Sequence, residues 1–503
     1  MQHDDFLRLK KKLSLNFWTL RIFFILTNLL SAGIVWAQDG KNPNESFLIG
    51  NHKQLLEEIT KERTNAQSPV LNIANIIKKS LVSLSLDQAI TEKNIPIILQ
   101  ATISHPDWSS AEAAIDYAKS YSDEAASALK PQISGGVDYG KRAYGQNPIT
   151  NGGALNYTST ASQISLKQLL YDGSSRKDYW LSTDKKAKAQ EFRSEIQKSE
   201  VALKLIEAAM NKQRYEIQRL WVSTFEDQRK ETAKKILRRF EIGAGTIYDI
   251  ARSDMKVSES RLTLQQIYSE LENSIASLRE YNLPEDFVLP NVAENLNQLK
   301  IDIDTLVDQN PATKEAVLFA EAAQLEYNSS ISRSGPTINF ELNRTDKAFN
   351  GTGNPSADFS KLVTLTYNFY SGGAESARVA QSASKLNQVK NDLDSRKRNL
   401  RNIINKSIQD AMTIFSSIDI RRSAVESSAA SFSANFKLFE INRGSLIDLQ
   451  RNEDELYDKV RQLIDSQFDS TIYFYRYLHV ANKLTPLLYK NFKIEPAELK
   501  PFL

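Results

Sequence analysis

Apolar and polar side chains alternate in four short segments of the chain. Every second residue is apolar in residues 338–343 and 363–369, and the alternation recurs more weakly in residues 133–139 and 164–167. A period of two predicts β-strands with one apolar face. We expect these strands at about 131–145, 157–171, 336–345 and 359–371.

Each predicted strand pair is followed by a long segment with a helical period. Roughly 65 residues after Gly173, and again after the pair Gly372-Gly373, contain neither proline nor glycine, which corresponds to a helix of about 100 Å. In the second segment apolar residues recur at steps of three, four or seven, the spacing of a coiled-coil seam. The seam comprises Leu386, Val389, Leu393, Leu400, Ile404, Ile408, Met412 and Phe415.

The two halves of the chain are copies of one unit. The sequence FEIGAGTIYD at 240–249 corresponds to FEINRGSLID at 439–448, an offset of 199 residues. The pairs His105-Pro106 and Asn310-Pro311 open two helical segments at an offset of 205. The difference of six residues is expected in a strand hairpin loop, where length is tolerated. We assign repeat 1 to residues 84–290 and repeat 2 to residues 291–490.

The matched segments 240–249 and 439–448 predict the turns of two helix hairpins. Thr246 and Ser445 can cap the returning helices, and Asp249 and Asp448 fall in their first turns, where a carboxylate complements the helix dipole. Four residues can supply the positive φ of such turns: Gly243, Gly245, Asn442 and Gly444.

The N-terminus resembles a secretory signal peptide at residues 1–37. Basic residues precede an apolar run from Ile22 to Val35, and cleavage is predicted before Gln38. The alternative is a membrane anchor, but 14 apolar residues are fewer than the roughly 20 that span a bilayer. Residues 38–83 are interpreted as a linker or loosely attached extension, and residues 491–503 as a tail.

Composition excludes several classes of chemistry. The chain has no cysteine, a net charge of +3 and four scattered histidines, which argues against thiol catalysis, nucleic-acid binding and a metal site. No motif for binding ATP or a dinucleotide and no nucleophile elbow is present. We therefore expect no enzyme activity and no cofactor.

The strand pattern fits either a soluble hairpin or a membrane barrel. The signal peptide and the lack of any later apolar helical segment favour the barrel, because only helices and closed barrels span a membrane. Four strands are too few, since single-chain barrels start at about eight. The barrel is therefore expected to be shared between chains.

In this order, and duplicated, the motifs resemble the TolC family of outer-membrane efflux and secretion proteins. The matching segments are SLDQAI at 85–90, ALKPQISGGVDYG at 128–140, QLLYDG at 168–173 and the two hairpin turns. The resemblance implies a mainly α fold with β-structure: a homotrimeric, twelve-stranded barrel in the cell outer membrane, continued by a periplasmic helical barrel. It also implies a periplasmic adaptor protein and an inner-membrane pump or ABC transporter as partners.

The resemblance further implies that the hairpin turns close the periplasmic mouth and contact the adaptor. Asp448 occupies an acidic position of that mouth, and Arg451 stands where a second acidic residue is expected. Asp249 and Arg252 are their counterparts in repeat 1. The alternative role of Asp448 is that of a helix N-terminal carboxylate alone. The candidate adaptor contacts are Gly243, Gly245, Thr246, Arg443, Gly444 and Ser445.

Two further interpretations accompany these expectations. Phe240 and Phe439 are expected to pack within the hairpins, with adaptor contact as the alternative. For the whole protein, the expected function is a passive exit duct for small molecules or unfolded protein. The rival is a trimeric coiled-coil adhesive or structural envelope protein without a pore, while an exported enzyme has no supporting motif.

Overall fold

The structure, a computed structural model, describes residues 47–65, 69–80, 94–144, 155–292, 302–350 and 356–490. The predicted signal peptide, the SLDQAI segment and the C-terminal tail lie outside these residues. A first compact unit ends at Gln54, and a second comprises residues 55–503. Within the described ranges, no helix is both long and apolar enough to cross a bilayer.

Eleven helices and four strands make up the described ranges. The N-terminal part contains α1 (Phe47–Asn65) and α2 (Pro69–Ser80). Repeat 1 contains α3 (Asn94–Ile103), α4 (Pro106–Ser127), β1 (Gln132–Tyr144), β2 (Leu155–Tyr171), α5 (Ser175–Glu241) and α6 (Ile247–Arg279). Repeat 2 contains α7 (Ile303–Gln309), α8 (Pro311–Ser332), β3 (Thr337–Asn350), β4 (Ser356–Thr366), α9 (Ala374–Glu440), α10 (Leu446–Val480) and α11 (Leu484–Lys490).

Helix boundaries repeat at the offsets found in the sequence. Helices α5 and α9 each have 67 residues and begin 199 positions apart, while α4 and α8 each have 22 residues and begin 205 apart. The prolines of α4 and α8 stand at the first helical position, where a missing N–H is harmless. His105 and Asn310 cap these two helices by accepting hydrogen bonds from Asp107 N and Ala312 N.

The four strands form one antiparallel sheet in the order β1-β2-β3-β4. Ile133 lies opposite Leu166 in the first hairpin, and Ile338 lies opposite Leu365 in the second. These pairs differ by the repeat offsets of 205 and 199, so both hairpins have the same register. Strand β2 joins the repeats by pairing with β3.

The sheet has one apolar and one polar face, as the alternation predicted. The register places eleven apolar side chains on one face: Ile133, Val137, Tyr139, Ile164, Leu166, Ile338, Phe340, Leu342, Phe359, Val363 and Leu365. Val137 and Tyr139 are 72% and 76% exposed, although they are apolar. Strand β4 ends at Thr366 instead of the predicted 371, so Tyr367 and Phe369 lie beyond it.

The segment expected to be a loose linker is packed against the helices. Ile59, Ile73 and Ile77 are fully buried and belong to the same apolar core as the long helices. Helix α2 contacts α5, α9 and α10. The interpretation of residues 38–83 as loosely attached is therefore wrong for residues 55–65 and 69–80, because their apolar face is covered.

Candidate functional site

Two turns join the long helices to their returning partners. Gly243 and Asn442 adopt positive φ values of 76° and 61°, as expected. Gly245 and Gly444 do not, which corrects that part of the prediction. Their restriction is steric, because a Cβ atom would lie 3.1 Å from Phe240 N at Gly245 and 2.7 Å from Phe439 N at Gly444.

The returning helices begin with different caps. The Thr246 hydroxyl accepts a hydrogen bond from Asp249 N at 3.2 Å, and Asp249 Oδ2 accepts one from Thr246 N at 3.1 Å, a complete capping box. The Ser445 hydroxyl accepts from Ile447 N at 3.2 Å. The Asp249 side chain thus takes part in the cap of its own helix, whereas the cap of α10 is formed by the Ser445 side chain.

Asp448 and Arg451 form an ion pair one turn apart on α10. Both side chains are exposed, at 52% and 70%. An exposed pair of this kind contributes little to stability. Its consequence is electrostatic, since a guanidinium group accompanies the Asp448 carboxylate, for which the family resemblance implies a position at the mouth.

Arg252 joins the two hairpins instead of facing an acid. Its Nε donates a hydrogen bond to Gln450 Oε1 at 2.7 Å, and its Nη1 donates to Tyr248 Oη at 3.0 Å. Gln450 is 2% exposed, so this contact is shielded from water on the α10 side. Tyr248 has an isoleucine as its counterpart in repeat 2, and only repeat 1 can make this arrangement.

A second contact between the hairpins was missed by the sequence reasoning. The Arg239 guanidinium lies 3.9 Å from the Phe439 ring centroid and donates a hydrogen bond to Phe439 O. Lys235 forms an ion pair with Glu440 at 3.1 Å. The only signal was an inequality between the copies, because the counterpart of Arg239 is Leu438.

The two phenylalanines have different environments. Phe439 is 2% exposed and packs as expected. Phe240 is 38% exposed, so the expectation of a packed residue is wrong there. The Arg239 guanidinium lies over the Phe439 ring and contributes to its burial.

A buried carboxylate lies about one turn above the Arg252 contact. Glu453 is 1% exposed, and Thr232 Oγ1 on α5 lies 3.5 Å from its Oε1. Burial raises the pKa of Glu453 to about 7, although the nearby Arg229 guanidinium favours the charged form. Arg229 itself pairs with Asp454 and donates to Ser260 Oγ at 2.6 Å.

The candidate adaptor contacts divide by accessibility. Gly243, Thr246, Arg443 and Ser445 are exposed, while Gly245 and Gly444 are partly buried under the preceding helix ends. In the part of the chain that is described, no cluster of three or more histidine, aspartate or glutamate residues could hold a metal ion.

Comparison with known proteins agrees with this geometry. No family model matches the chain. The chain is 22% identical to "Outer membrane protein TolC" of Salmonella enteritidis, over 77% of the chain and 82% of that protein. It is 20% identical to "Outer membrane efflux protein BepC" of Brucella suis, over 75% of the chain and 82% of that protein.

Solved structures share the fold at lower identity. The Campylobacter jejuni CmeC outer membrane channel superposes with a TM-score of 0.68 at 12% identity, over 83% of this chain and 93% of that chain. A membrane protein from Pseudomonas aeruginosa superposes with a TM-score of 0.69 at 11% identity, over 79% and 95%. These matches confirm the predicted resemblance to the TolC family and its fold class.

Proposed function

We propose that the protein is a passive exit duct of the outer membrane, which carries small molecules or unfolded protein out of the periplasm. It would serve a tripartite efflux pump or a type I secretion system. The similarity to proteins named as outer-membrane and efflux proteins supports this function. It disfavours the rival, a coiled-coil envelope protein without a pore.

The observation that carries the proposal is the two-faced sheet. Its apolar face is largely exposed, which is costly in water and favourable in lipid. In lipid every backbone N–H and C=O needs a partner, so the sheet has to close on itself. Three copies of four strands make a twelve-stranded barrel, and the polar face then lines its interior.

The helical part continues this duct through the periplasm in the proposed assembly. The exposed residues Gly243, Thr246, Arg443 and Ser445 are the proposed surface for a periplasmic adaptor protein, with an inner-membrane pump or ABC transporter beyond it.

The mouth of the duct is proposed to close where the two hairpins of each chain are joined. The contact of Arg252 with Gln450 joins α6 to α10. The contact of Arg239 with Phe439 joins α5 to α9. Asp448 and Arg451 are the charged residues of this mouth. Opening would require these contacts to break, so their loss should favour conduction.

Single-channel recording of the purified protein in planar bilayers tests the proposal. We expect stable trimers with discrete conductance steps, and larger steps for Arg252→Ala than for the wild type. The matched control is Arg279→Ala, at the opposite end of the same helix, where the ion pair with Glu285 is exposed. Extraction as a monomer without detergent, or trimers that never conduct, would refute the duct.

A further inference from the structure

The apolar face of the sheet carries charged side chains as well as apolar ones. In the described strands none lies in the two rows next to the long helices, where Ile338 is opposite Leu365 and Phe340 is opposite Val363. Beyond these rows the register places four charged side chains on the same face: Lys141, Arg344, Asp346 and Lys361. In the proposed duct this face meets lipid, where a charge is costly unless it is compensated.

Two of these residues compensate each other. Arg344 Nε donates a hydrogen bond to Asp346 Oδ2 at 3.0 Å, and both residues lie on β3. Their side chains are 62% and 44% exposed. The pair leaves no net charge on this face of β3. The lysines on β1 and β4 therefore carry the excess of positive charge.

Lys361 has an aromatic neighbour instead of an acidic one. Its Nζ atom lies 5.3 Å from the centroid of the Phe359 ring, a cation–π contact. On the polar face, Lys167 Nζ forms an ion pair with Glu341 at 3.0 Å. Among the described residues of the sheet, neither Lys361 nor Lys141 takes part in an ion pair. The chain thus supplies an anion for Lys167, inside the proposed barrel, and none for the two lysines outside it.

The position of Lys361 along its strand corresponds to the edge of a membrane band. Tyr171 and Tyr370 are counterparts, and they are 52% and 89% exposed where the sheet meets the long helices. Exposed aromatic residues are typical of a membrane–water interface. Lys361 precedes Tyr370 by nine residues, which is at most about 30 Å along the strand and about 23 Å of height at a tilt of roughly 40°.

This height places Lys361 near the second interface, because the apolar band of a barrel is about 25 Å tall. The flexible stem of a lysine can lie along apolar surface and carry its ammonium group to the level of the lipid headgroups. The Phe359 ring, on the side of Lys361 away from the helices, already holds the ammonium group in that direction.

The lysines belong to the outer leaflet in the proposed duct. Helices α5 and α9 begin at Ser175 and Ala374, shortly after β2 and β4, and continue into the periplasm of the proposed assembly. The opposite strand ends, at Tyr144 and Asn350, then point out of the cell. A lipid that reaches the lysines is therefore a lipid of the outer leaflet.

The repeat places Lys141 beside Lys361 in the proposed barrel. Within the chain Ser162 on β2 lies opposite Asp346 on β3. The offset of 199 carries Ser162 to Lys361 on β4, and the offset of 205 carries Asp346 back to Lys141 on β1. Where β4 of one copy meets β1 of the next, the two lysines are expected opposite each other. Like charges in such a cross-strand pair are destabilising, and an anion between them removes the repulsion.

We propose that Lys361 and Lys141 of the next copy bind a phosphate group of a lipid headgroup on the outer surface of the barrel. Both ammonium groups donate hydrogen bonds, and phosphate oxygens accept them. Leu342 and Val363, in the rows below Phe359, offer apolar contact to the acyl chains of the same lipid. The inference rests on the proposed duct and identifies the class of lipid that its outer surface recognises.

Native mass spectrometry of detergent-solubilised trimers tests this site, with bis-phosphorylated lipid A as the probe. We expect the double variant Lys361→Gln with Lys141→Gln to bind the lipid about tenfold less tightly than the wild type, because charge-assisted hydrogen bonds are lost. Each single variant should lose part of the affinity. Lys361→Arg keeps the positive charge and should retain binding.

Lys347→Gln is the matched control. Lys347 lies opposite Ala161 in the same part of the sheet but on the polar face. The control removes the same charge and should bind lipid A like the wild type. Lipid A without phosphates tests the chemistry of the headgroup and should bind less tightly to the wild type. Inorganic phosphate at millimolar concentration tests for a site of free anions and should not displace the lipid.

Several outcomes would overturn the site while leaving the duct intact. They are unchanged affinity in the double variant, an equal loss in Lys347→Gln, and equal binding of lipid A with and without phosphates. Displacement of the lipid by inorganic phosphate would also contradict the proposal. A loss in Lys361→Gln with none in Lys141→Gln would show that no site is shared between copies. Wild-type protein that forms no conducting trimers would instead refute the duct.

Discussion

The two long helices α5 and α9 have the same length and the same place in the repeat, yet their surroundings differ. Trp221 in the C-terminal half of α5 is fully buried, and its counterpart Ile420 on α9 is 72% exposed. Helix α5 is surrounded by α4, α6, α8 and α10, whereas α9 lacks counterparts on one side. Two helices of the same length and repeat position are therefore buried to different extents within one chain.

The difference shows that the contacts between repeat 1 and repeat 2 occur once within the chain. Their equivalents would form only if repeat 2 of one chain contacted repeat 1 of another. The β2–β3 pairing and the packing of α10 on α5 occur inside the chain. In the proposed assembly, their counterparts lie between two copies of the chain. The apolar side chains of Tyr117 and Ile420 stand at those positions and are 74% and 72% exposed.

The largest effect is expected from Trp221→Ala. Removing this fully buried ring leaves a cavity between α5 and α10, at a cost of about 3–5 kcal/mol in the free energy of unfolding. Thermal unfolding followed by circular dichroism measures the change. A loss below about 1 kcal/mol would contradict the enclosed position of α5.

Ile420→Ser tests the other half of the comparison. We expect no change in secondary structure but a weaker trimer, by about 2 kcal/mol per copy, because the isoleucine would be buried only between copies. The temperature at which the trimer dissociates on gels is the measurement. Unchanged dissociation would show that Ile420 stays exposed in the assembly.

Gly444→Ala and Gly245→Ala compare the two turns. The added methyl group would lie 2.7 Å from Phe439 N in the first variant and 3.1 Å from Phe240 N in the second. We expect a loss of about 2 kcal/mol for Gly444→Ala and a smaller loss for Gly245→Ala. Equal melting temperatures for the two variants would contradict the tighter second turn.

Glu453→Gln tests the buried carboxylate against its exposed counterpart, Asp254. The pKa of Glu453 rises from 4.5 to about 7 on folding, so the folded state binds the proton more tightly. Stability of the wild type should therefore fall as the pH rises from about 4.5 to 7, by up to about 1.4 kcal/mol per pH unit. Melting temperatures from pH 5 to 8 should show this slope in Asp254→Asn and a shallower one in Glu453→Gln.

The smallest effect is expected at the start of α5. Ser174 has a φ of 73°, and its counterpart before α9 is Gly373 with a φ of 84°. Since a left-handed conformation is costly for a residue with a Cβ atom, Ser174→Gly should stabilise repeat 1 by about 0.5–1 kcal/mol. A lower melting temperature for this variant would show that the hydroxyl matters more than the backbone.

The strands, the long helices and the turns could be predicted because each has a local cause. Alternation marks the strands, and the absence of glycine and proline permits 67 residues of helix. The packed position of residues 55–65 and 69–80 could not be predicted, because a short amphipathic helix has the same pattern whether or not a partner covers it. The end of β4 at Thr366 could not be predicted either, because Tyr367 and Phe369 continue the alternation beyond the last residue of the strand.

At the candidate site the capping residues were predictable and the contacts between hairpins were not. Thr246, Asp249 and Ser445 act within one turn of chain, so their spacing is sufficient. Arg239 and Gln450 act across about 200 residues of sequence. No local pattern reports which of many arginines and glutamines meet at such a distance.

The amino-acid sequence by itself determined the duplication, the period of each element and the two faces of the sheet, because these depend on neighbouring side chains. Only the tertiary structure decided which copy of each element is enclosed. Four helices, α4, α6, α8 and α10, contact α5, whereas of these only α8 and α10 contact α9. The two repeats have the same elements because their sequences share the same pattern. Their residues differ in burial because different helices pack around them.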